Sequence, residues 1–283
     1  MAKTFKKMST LDPTIVMIVD CLNMAFSFRG RNDYLEKYVA MVDSLRRSYG
    51  AGKVILTCDS GASSYRKGIY PSYKQNRKDK QDLQTPEEAL EFQLFFEEFN
   101  RVMQGYQESE QYPVFRFDKT EADDVAAYIV KTRGRYPVTK IVLISSDRDW
   151  NLLVDHDVDQ FSYVTRKEFT VENWSEHYEF TREEYISIKC LQGDSGDNVA
   201  GVPGVGPKKA LDLVRAYGTA YDIAANLPIA SKYKYIQNLN EFGTDAILLN
   251  YKLMDLLEYC DEAIGETNCA VIDETLKGYL NGE

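Results

Sequence analysis

Histidine is scarce in this chain: His156 and His177 are the only two in 283 residues. That scarcity argues against an imidazole-based nucleophile triad and against a histidine-rich zinc site. The five cysteines, Cys21, Cys58, Cys190, Cys260 and Cys269, include no CxxC pair and are odd in number. Neither a disulfide framework nor a zinc knuckle is indicated, and a reducing compartment fits. Long apolar runs are missing as well: no stretch approaches bilayer-spanning length, and the N-terminal MAKTFKKMST carries charge without the apolar centre of a signal peptide. There are no internal repeats and no low-complexity tracts. The expectation is a soluble cytoplasmic protein with a flexible N-terminal tail over residues 1–13.

Acid is abundant. The formal net charge is −10, and much of the excess falls at special places. Three hydrophobic runs end on aspartate: IVMIVD at Asp20, KVILTCD at Asp59, and KIVLISSDRD at Asp147 and Asp149. In a parallel α/β sheet, ligands collect at the carboxyl ends of strands, so these runs aim several carboxylates at one crevice. TEADD adds Glu121, Asp123 and Asp124, and GDSGDN adds Asp194 and Asp197. Nine converging carboxylates cannot all stay ionised without comparable bases unless divalent cations sit among them. Their hard oxygen character selects Mg²⁺, or Mn²⁺ as a substitute, over zinc or copper. Each signal also has an ordinary reading. Strand-end acids start turns, Thr120 and Asp123 can form a capping box, DRD can be a surface ion pair, and GDSGDN can be a tight turn. If the strand continued through Asp147 and Asp149, they would point the same way.

From Ile15 to about Val164, short β-branched runs alternate with helical ones, the pattern of βαβ units around a parallel sheet. Tyr38, Val42, Leu45 and Tyr49 mark a crossover helix. Thr85-Pro86-Glu87-Glu88 opens another with a capping box, followed by a stripe of Leu90, Leu94, Phe95 and Phe99. PVFRFD and KIVLISS read as strands and FSYVTRKEFTV as a strand or hairpin. After Thr181 the texture changes to short helices joined by glycine-rich turns. The expected division is a sheet domain over 14–180 and a helical region over 181–283.

The bases are concentrated too. RKGIYPSYKQNRKDK holds Arg66, Lys67, Lys74, Arg77, Lys78 and Lys80 against the single acid Asp79, with Tyr65, Tyr70 and Tyr73 at or within it. Aromatics among cations suit single-stranded nucleic acid, although a solvated basic loop accounts for the same residues. In GVPGVGPKKA, Gly204 and Gly206 free the backbone, Pro207 opens a helix, and Lys208 and Lys209 stand at its start. Lysines there oppose the helix dipole unless an anion docks, so the segment reads as a phosphate-binding hairpin or, more plainly, a turn between helices.

Taken in order, IVDCLN, TCDSG, YPSYKQNR, EADD, SSDRDW, LQGDSGDN and GVPGVGPKKA resemble the 5′-nuclease family of flap endonucleases. That family includes the nuclease domain of bacterial DNA polymerase I and free-standing phage enzymes, which KYIQNLN at Lys234 to Asn240 resembles most. The resemblance implies a PIN-like, mostly parallel sheet flanked by helices, a helical arch over about 60–100, and a C-terminal helix-three-turn-helix DNA-binding region. It implies a structure-specific 5′-nuclease that removes 5′ flaps and degrades DNA 5′ to 3′ in replication and repair by two-metal-ion hydrolysis. The metal carboxylates would be Asp20, Asp59, Glu121, Asp123, Asp124, Asp147 and Asp149, with Asp194 and Asp197 completing a second cluster. Lys74 and Arg77 would neutralise the scissile phosphate and Tyr73 would stack on a flanking base. Arg66, Lys67, Lys78, Lys80, Lys189, Gly204, Gly206, Lys208 and Lys209 would contact DNA, with K⁺ at the Gly201 to Ala210 hairpin. Arg148, bulky between two expected ligands, must point away from the ions, or Asp149 is not a direct ligand. The expected state is a monomer on branched DNA, without a sliding-clamp peptide, in the host bacterial cytoplasm if phage-encoded. Rival readings are a non-catalytic DNA-junction binder, a phosphohydrolase of small phosphates and a PIN-class ribonuclease.

Overall fold

The computed structural model describes residues 10–31 and 33–282. Of the expected tail, residues 1–9 lie outside the described residues, whereas Asp12 and Pro13 already belong to the first strand. Six strands form one sheet: β1 (Asp12–Asp20), β2 (Ala51–Thr57), β3 (Val114–Phe115), β4 (Lys140–Ile144), β5 (Val158–Ser162) and β6 (Lys167–Phe169), in the order β3-β2-β1-β4-β5-β6. All pairings are parallel except β5 with β6, an antiparallel hairpin and so the second of the two readings open for FSYVTRKEFTV.

Alternation of side chains explains why β1 is apolar at every position from Val16 to Val19. Met17 and Val19 pack on one face, with Val54, Leu56, Val142 and Ile144, while Val16 and Ile18 pack on the other, with Ile55, Ile141 and Leu143. The first face is covered by the Tyr34–Tyr49 and Pro86–Ser109 helices. The second is covered by the helices Ala122–Thr132, Leu256–Ile264 and Glu266–Asn281. The capping box at Thr85 and Glu88 is present, with Pro86 at the first helical position. The expected stripe on that helix divides: Phe95 and Phe99 are buried with Val102, Met103 and Tyr106, but Leu90 and Leu94 lie on the exposed side.

Packing divides the chain into two units, and the division is not contiguous. One comprises 10–63, 84–172 and 256–282 of the described residues; the other comprises Ser64–Leu83 and Asn173–Asp255. The split expected at 180/181 therefore differs from the contacts at two places. The last two helices belong to the sheet unit because Leu256, Cys260, Ile264, Ile272, Leu276 and Leu280 complete its core. Residues 64–83 join the helical unit, where Tyr73 is part of the core formed by Ile188, Leu191, Val199 and Leu211. That unit contains the helices Arg182–Gln192, Pro207–Tyr217, Ala220–Ala225 and Lys234–Met254, the last broken at Gly243.

Candidate metal centre and nucleic-acid interface

In the sheet unit, β1 pairs with β2 on one side and with β4 on the other, so the chain crosses over in opposite directions from it. The carboxyl end of β1 is the switch point where α/β sheets open a crevice, and β1 ends on Asp20. Asp20 is 4% exposed; Ser145 Oγ donates to its Oδ2 at 2.7 Å and the Asn23 backbone N–H to its Oδ1 at 3.2 Å. Burial, with the charges of Asp59 and Asp147 close by, pushes the Asp20 carboxyl well above the usual carboxylate range, against the hydrogen bonds that lower it.

The other acids of this unit are reached from neighbouring strand ends. Asp59 stands two residues beyond β2 and its Oδ1 accepts the Ala122 N–H at 2.8 Å, so it caps the helix that carries Asp123 and Asp124. The N-cap position of that helix belongs to Glu121. Thr120, expected to cap it, instead directs its hydroxyl to the Asp118 carbonyl, because Asp59 comes from another strand to meet the first N–H. Glu121 and Asp124 are buried, and Asp123 Oδ1 accepts from Trp150 Nε1 at 2.5 Å. β4 stops at Ile144, so Asp147 and Asp149 are not on an extended strand as expected. The chain turns, Asp147 Oδ1 accepts the Asp149 N–H at 2.9 Å, and Asp149 starts a short 3₁₀ helix, Asp149–Leu153. Arg148 is exposed.

Among the described residues, no three His, Cys, Asp or Glu side chains converge in a geometry that would hold one ion. The chemistry of the donor set nevertheless fits a divalent cation. A buried carboxyl at a strand end, facing two more carboxylates, is forced towards protonation unless a cation compensates. Three residues that sequence reasoning passed over, Ser145, Asn23 and Gln160, position these acids. Ser145 Oγ accepts the Asp147 N–H at 3.1 Å while donating to Asp20; Asn23 Oδ1 accepts from the Ser146 N–H and from Tyr163; and Gln160 donates to the carbonyls of Ser145 and Asp147. The sequence offers little to mark them: Gln160 lies in the mixed run VDQFS, and Ser145 follows the apolar run IVLI.

In the helical unit, Asp194 and Asp197 sit in a loop closed by paired backbone bonds between Asp194 and Val199. Gly193 takes φ +69°, and a Cβ at Gly201 would overlap the Gln192 carbonyl, so glycine is required for this close return. Asp194 Oδ1 accepts the N–H groups of Gly196 and Asp197, and Lys189 Nζ lies 3.7 Å from its Oδ2. Asp197 gathers the basic segment: Arg77 Nη2 at 2.6 Å, Tyr73 OH at 2.8 Å and Lys74 Nζ at 3.7 Å from its carboxylate, and the Lys74 N–H at 2.9 Å from its carbonyl. Lys74 holds φ +54°, a left-handed conformation uncommon for a side-chain-bearing residue. The premise of carboxylates without basic partners therefore does not hold for Asp194 and Asp197.

The expected DNA contacts fall into two groups. Arg77, Lys78 and Lys80 are exposed, as are Gly204, Gly206, Lys208 and Lys209. Pro207 opens its helix with no side-chain cap, and Lys209 Nζ bonds the Gly204 carbonyl at 2.8 Å and lies over the Tyr235 ring. Arg66, by contrast, is 2% exposed, its Nε donating to the Leu253 carbonyl at 2.8 Å, and it cannot reach a surface ligand as placed. Tyr73 is likewise 2% exposed, its ring inside the core instead of on a stacking surface. Lys189 is 8% exposed, and Lys67 bonds the Pro71 carbonyl.

An α/β sheet with a buried acid and two further carboxylates at its switch point, in a chain that also exposes clustered bases, fits the class of metal-dependent nucleases. Comparison narrows this to one family. The profile described as "5'-3' exonuclease, N-terminal resolvase-like domain" matches residues 31–179, and that described as "5'-3' exonuclease, C-terminal SAM fold" matches 180–273. The chain is 37% identical over 269 residues to the flap endonuclease of Escherichia phage T5, covering 94% of this chain and 91% of that protein. It is 26% identical over 247 residues to the flap endonuclease Xni of Shewanella oneidensis, covering 85% and 88%. It also matches DNA polymerase I of Bacillus caldotenax at 28% over 200 residues, covering 69% of this chain and 21% of that protein. Among solved structures, the T5 protein co-crystallised with metal ions superposes with a TM-score of 0.86, at 37% identity over 94% of this chain and 98% of that one. The T5 enzyme's pseudo-enzyme–product complex with DNA and metal ions gives 0.89, at 35% identity over 94% and 99%. The chain belongs to the 5′–3′ exonuclease and flap endonuclease family. It is a metal-dependent 5′-nuclease that acts on DNA. No described helix is long and apolar enough to cross a membrane.

Proposed function

We propose that this nuclease acts as a monomer on branched DNA, cutting single-stranded 5′ flaps at their junction with duplex and degrading DNA 5′ to 3′, with Mg²⁺ as the working ion. The observation that carries the metal reading is the burial of Asp20 at the switch point against the charges of Asp59 and Asp147. Asp20, Asp59, Glu121, Asp123, Asp124, Asp147 and Asp149 form the set that would hold the ions, directly or through water. Divalent ions, when bound, activate water and stabilise the departing oxygen of a phosphodiester. The protein's own part is orientation: Ser145 and the Asn23 N–H fix the Asp20 carboxylate, and Trp150 fixes Asp123.

Arg77 and Lys74, on the strained turn into the Gln75–Asp82 helix, are the bases proposed to neutralise the scissile phosphate. Both lean on Asp197, so a phosphate, or an ion recruited to Asp194 and Asp197, must compete with that carboxylate. Lys78, Lys80, Lys208 and the backbone N–H groups of Gly206 and Lys208 are offered to the phosphate backbone, and residues 60–100 to the flap as an arch. A K⁺ ion at the Gly201 to Ala210 carbonyls would displace Lys209 from Gly204. A DNA substrate fits a bacterial host cytoplasm as the working compartment.

The test is cleavage of a 5′-labelled duplex bearing a 5′ flap, beside a plain duplex and an RNA flap, with Mg²⁺ and with EDTA. Cutting near the junction only with metal and with preference for the DNA flap is expected. Tight binding without cutting under every metal condition supports the junction-binder reading, and preference for the RNA flap the ribonuclease reading.

A further inference from the structure

The turn that carries Asp147 is clamped from below by a side-chain amide. Gln160 lies on β5 opposite Leu143 of β4, in the interior of the sheet, and is 1% exposed. Its Nε2 donates to the Ser145 carbonyl at 3.0 Å and to the Asp147 carbonyl at 2.7 Å, so both of its N–H donors go to one three-residue turn. Its Oε1 accepts from Asn151 Nδ2, and Asn151, 1% exposed, belongs to the 3₁₀ helix that begins at Asp149. An amide buried in a sheet that is otherwise apolar at this level is destabilising unless its bonds are made, and here the bonds made are those that set the path from Ile144 to Leu153.

We infer that Gln160 is a positioning residue for the nuclease reaction: by holding the Ser145 and Asp147 carbonyls together it fixes the Asp147 carboxylate relative to Asp20. The connection to Asp20 is short. Ser145, whose carbonyl Gln160 holds, donates its Oγ to Asp20 Oδ2 and accepts the Asp147 N–H on the same Oγ. With Gln160 replaced by an apolar side chain, one buried and one part-buried carbonyl lose this donor, and the turn must rotate to find others. Ser145 Oγ then no longer ties the Asp20 carboxylate to the backbone N–H of Asp147. The inference rests on the reading of Asp20 and Asp147 as metal-holding acids.

The test uses the full-length protein with Gln160→Met, close in volume and without donors, and Ser145→Ala, which removes the bridging hydroxyl with little change of volume. Mn²⁺ affinity is measured directly by titration calorimetry, along with kcat and KM on a 5′-flap duplex and DNA affinity in EDTA. Loss of a residue that orients a metal ligand lowers metal affinity or activity by about 10- to 100-fold. Gln160→Met is expected to weaken Mn²⁺ binding and lower kcat in that range, with DNA affinity in EDTA unchanged. Ser145→Ala is expected to do the same to a smaller degree, and it decides the matter should Gln160→Met fail to fold. Mn²⁺ affinity and kcat within twofold of the parent in whichever variants fold would overturn the inference. Asp147→Ala separates the two levels: if it still cleaves and binds Mn²⁺ normally, the metal reading has failed. If it is inactive while Gln160→Met and Ser145→Ala behave as the parent, only the positioning role has failed.

Discussion

Aspartate does opposite things in the two units of this nuclease. At the end of β1, Asp20 is buried with Asp59 and Asp147 close by, and burial and like charge drive its carboxyl towards the neutral form. In the helical unit, Asp197 is met by Arg77, Lys74 and the Tyr73 hydroxyl. The first is an acid in need of a cation; the second already has cations and uses them to hold a basic segment in place. Motif spacing alone does not distinguish these cases, because GDSGDN and SSDRD look equally acidic in sequence. The partners that complete each environment are what differ.

The sharpest way to break the comparison is to remove one acid from each side. Asp147→Ala should reduce flap cleavage by about 10²–10³-fold or more while leaving DNA binding in EDTA largely intact, as expected when a charge-stabilising group is lost from a reaction centre. Asp197→Asn should leave Mn²⁺ affinity within about twofold but destabilise the protein by about 1–3 kcal/mol, the usual range when charge-assisted bonds lose a partner. A large loss of Mn²⁺ affinity in Asp197→Asn, measured by calorimetry, would make the two sites alike and end the contrast.

A second contrast lies within the basic segment. Arg66→Ala removes a buried guanidinium bonded to Leu253 and set over Tyr73, and should lower stability by about 2–4 kcal/mol in urea unfolding. Lys80→Ala, on the exposed side, should stay within about 0.5 kcal/mol of the parent and weaken DNA binding instead.

The pH dependence of the metal-free protein sharpens the first contrast further. Because the folded-state pKa of Asp20 is raised, its contribution to stability is fully present below its unfolded-state value and is lost as pH rises through the folded value. In EDTA, Asp20→Asn should therefore be more stable than the parent at neutral pH, with the advantage shrinking towards acid, as urea unfolding across that range would show. Mg²⁺ should raise the parent's melting temperature more than the variant's. The smallest effect expected is at the hairpin: Lys208→Ala should weaken DNA binding evenly across sequences and reduce the salt slope of log K by about one.

Much of this was legible in the chain itself. Strand β1 and the Thr85 capping box follow from local pattern, the one from an unbroken apolar run and the other from side chains three residues apart. Arg66 and Tyr73 were not legible, since a basic, tyrosine-rich stretch reads as surface until Ile188, Leu191 and the Leu253 carbonyl arrive from distant sequence to bury it. The Leu256–Ile264 and Glu266–Asn281 helices carry ordinary amphipathic patterns that do not say which core they complete. Gln160 and Asn23 were passed over because a single amide in a run carries no periodic signal.

The sequence by itself determined the family, the order of the motifs and the acids at strand ends, because period and composition act over a few residues and survive without knowledge of what packs where. Only the tertiary structure decided which charge each acid faces and which bases are surface and which are core. It also revealed the amide beneath Asp147. Ionisation and burial depend on groups brought together from remote parts of the chain, and that information is not contained in any local stretch of it.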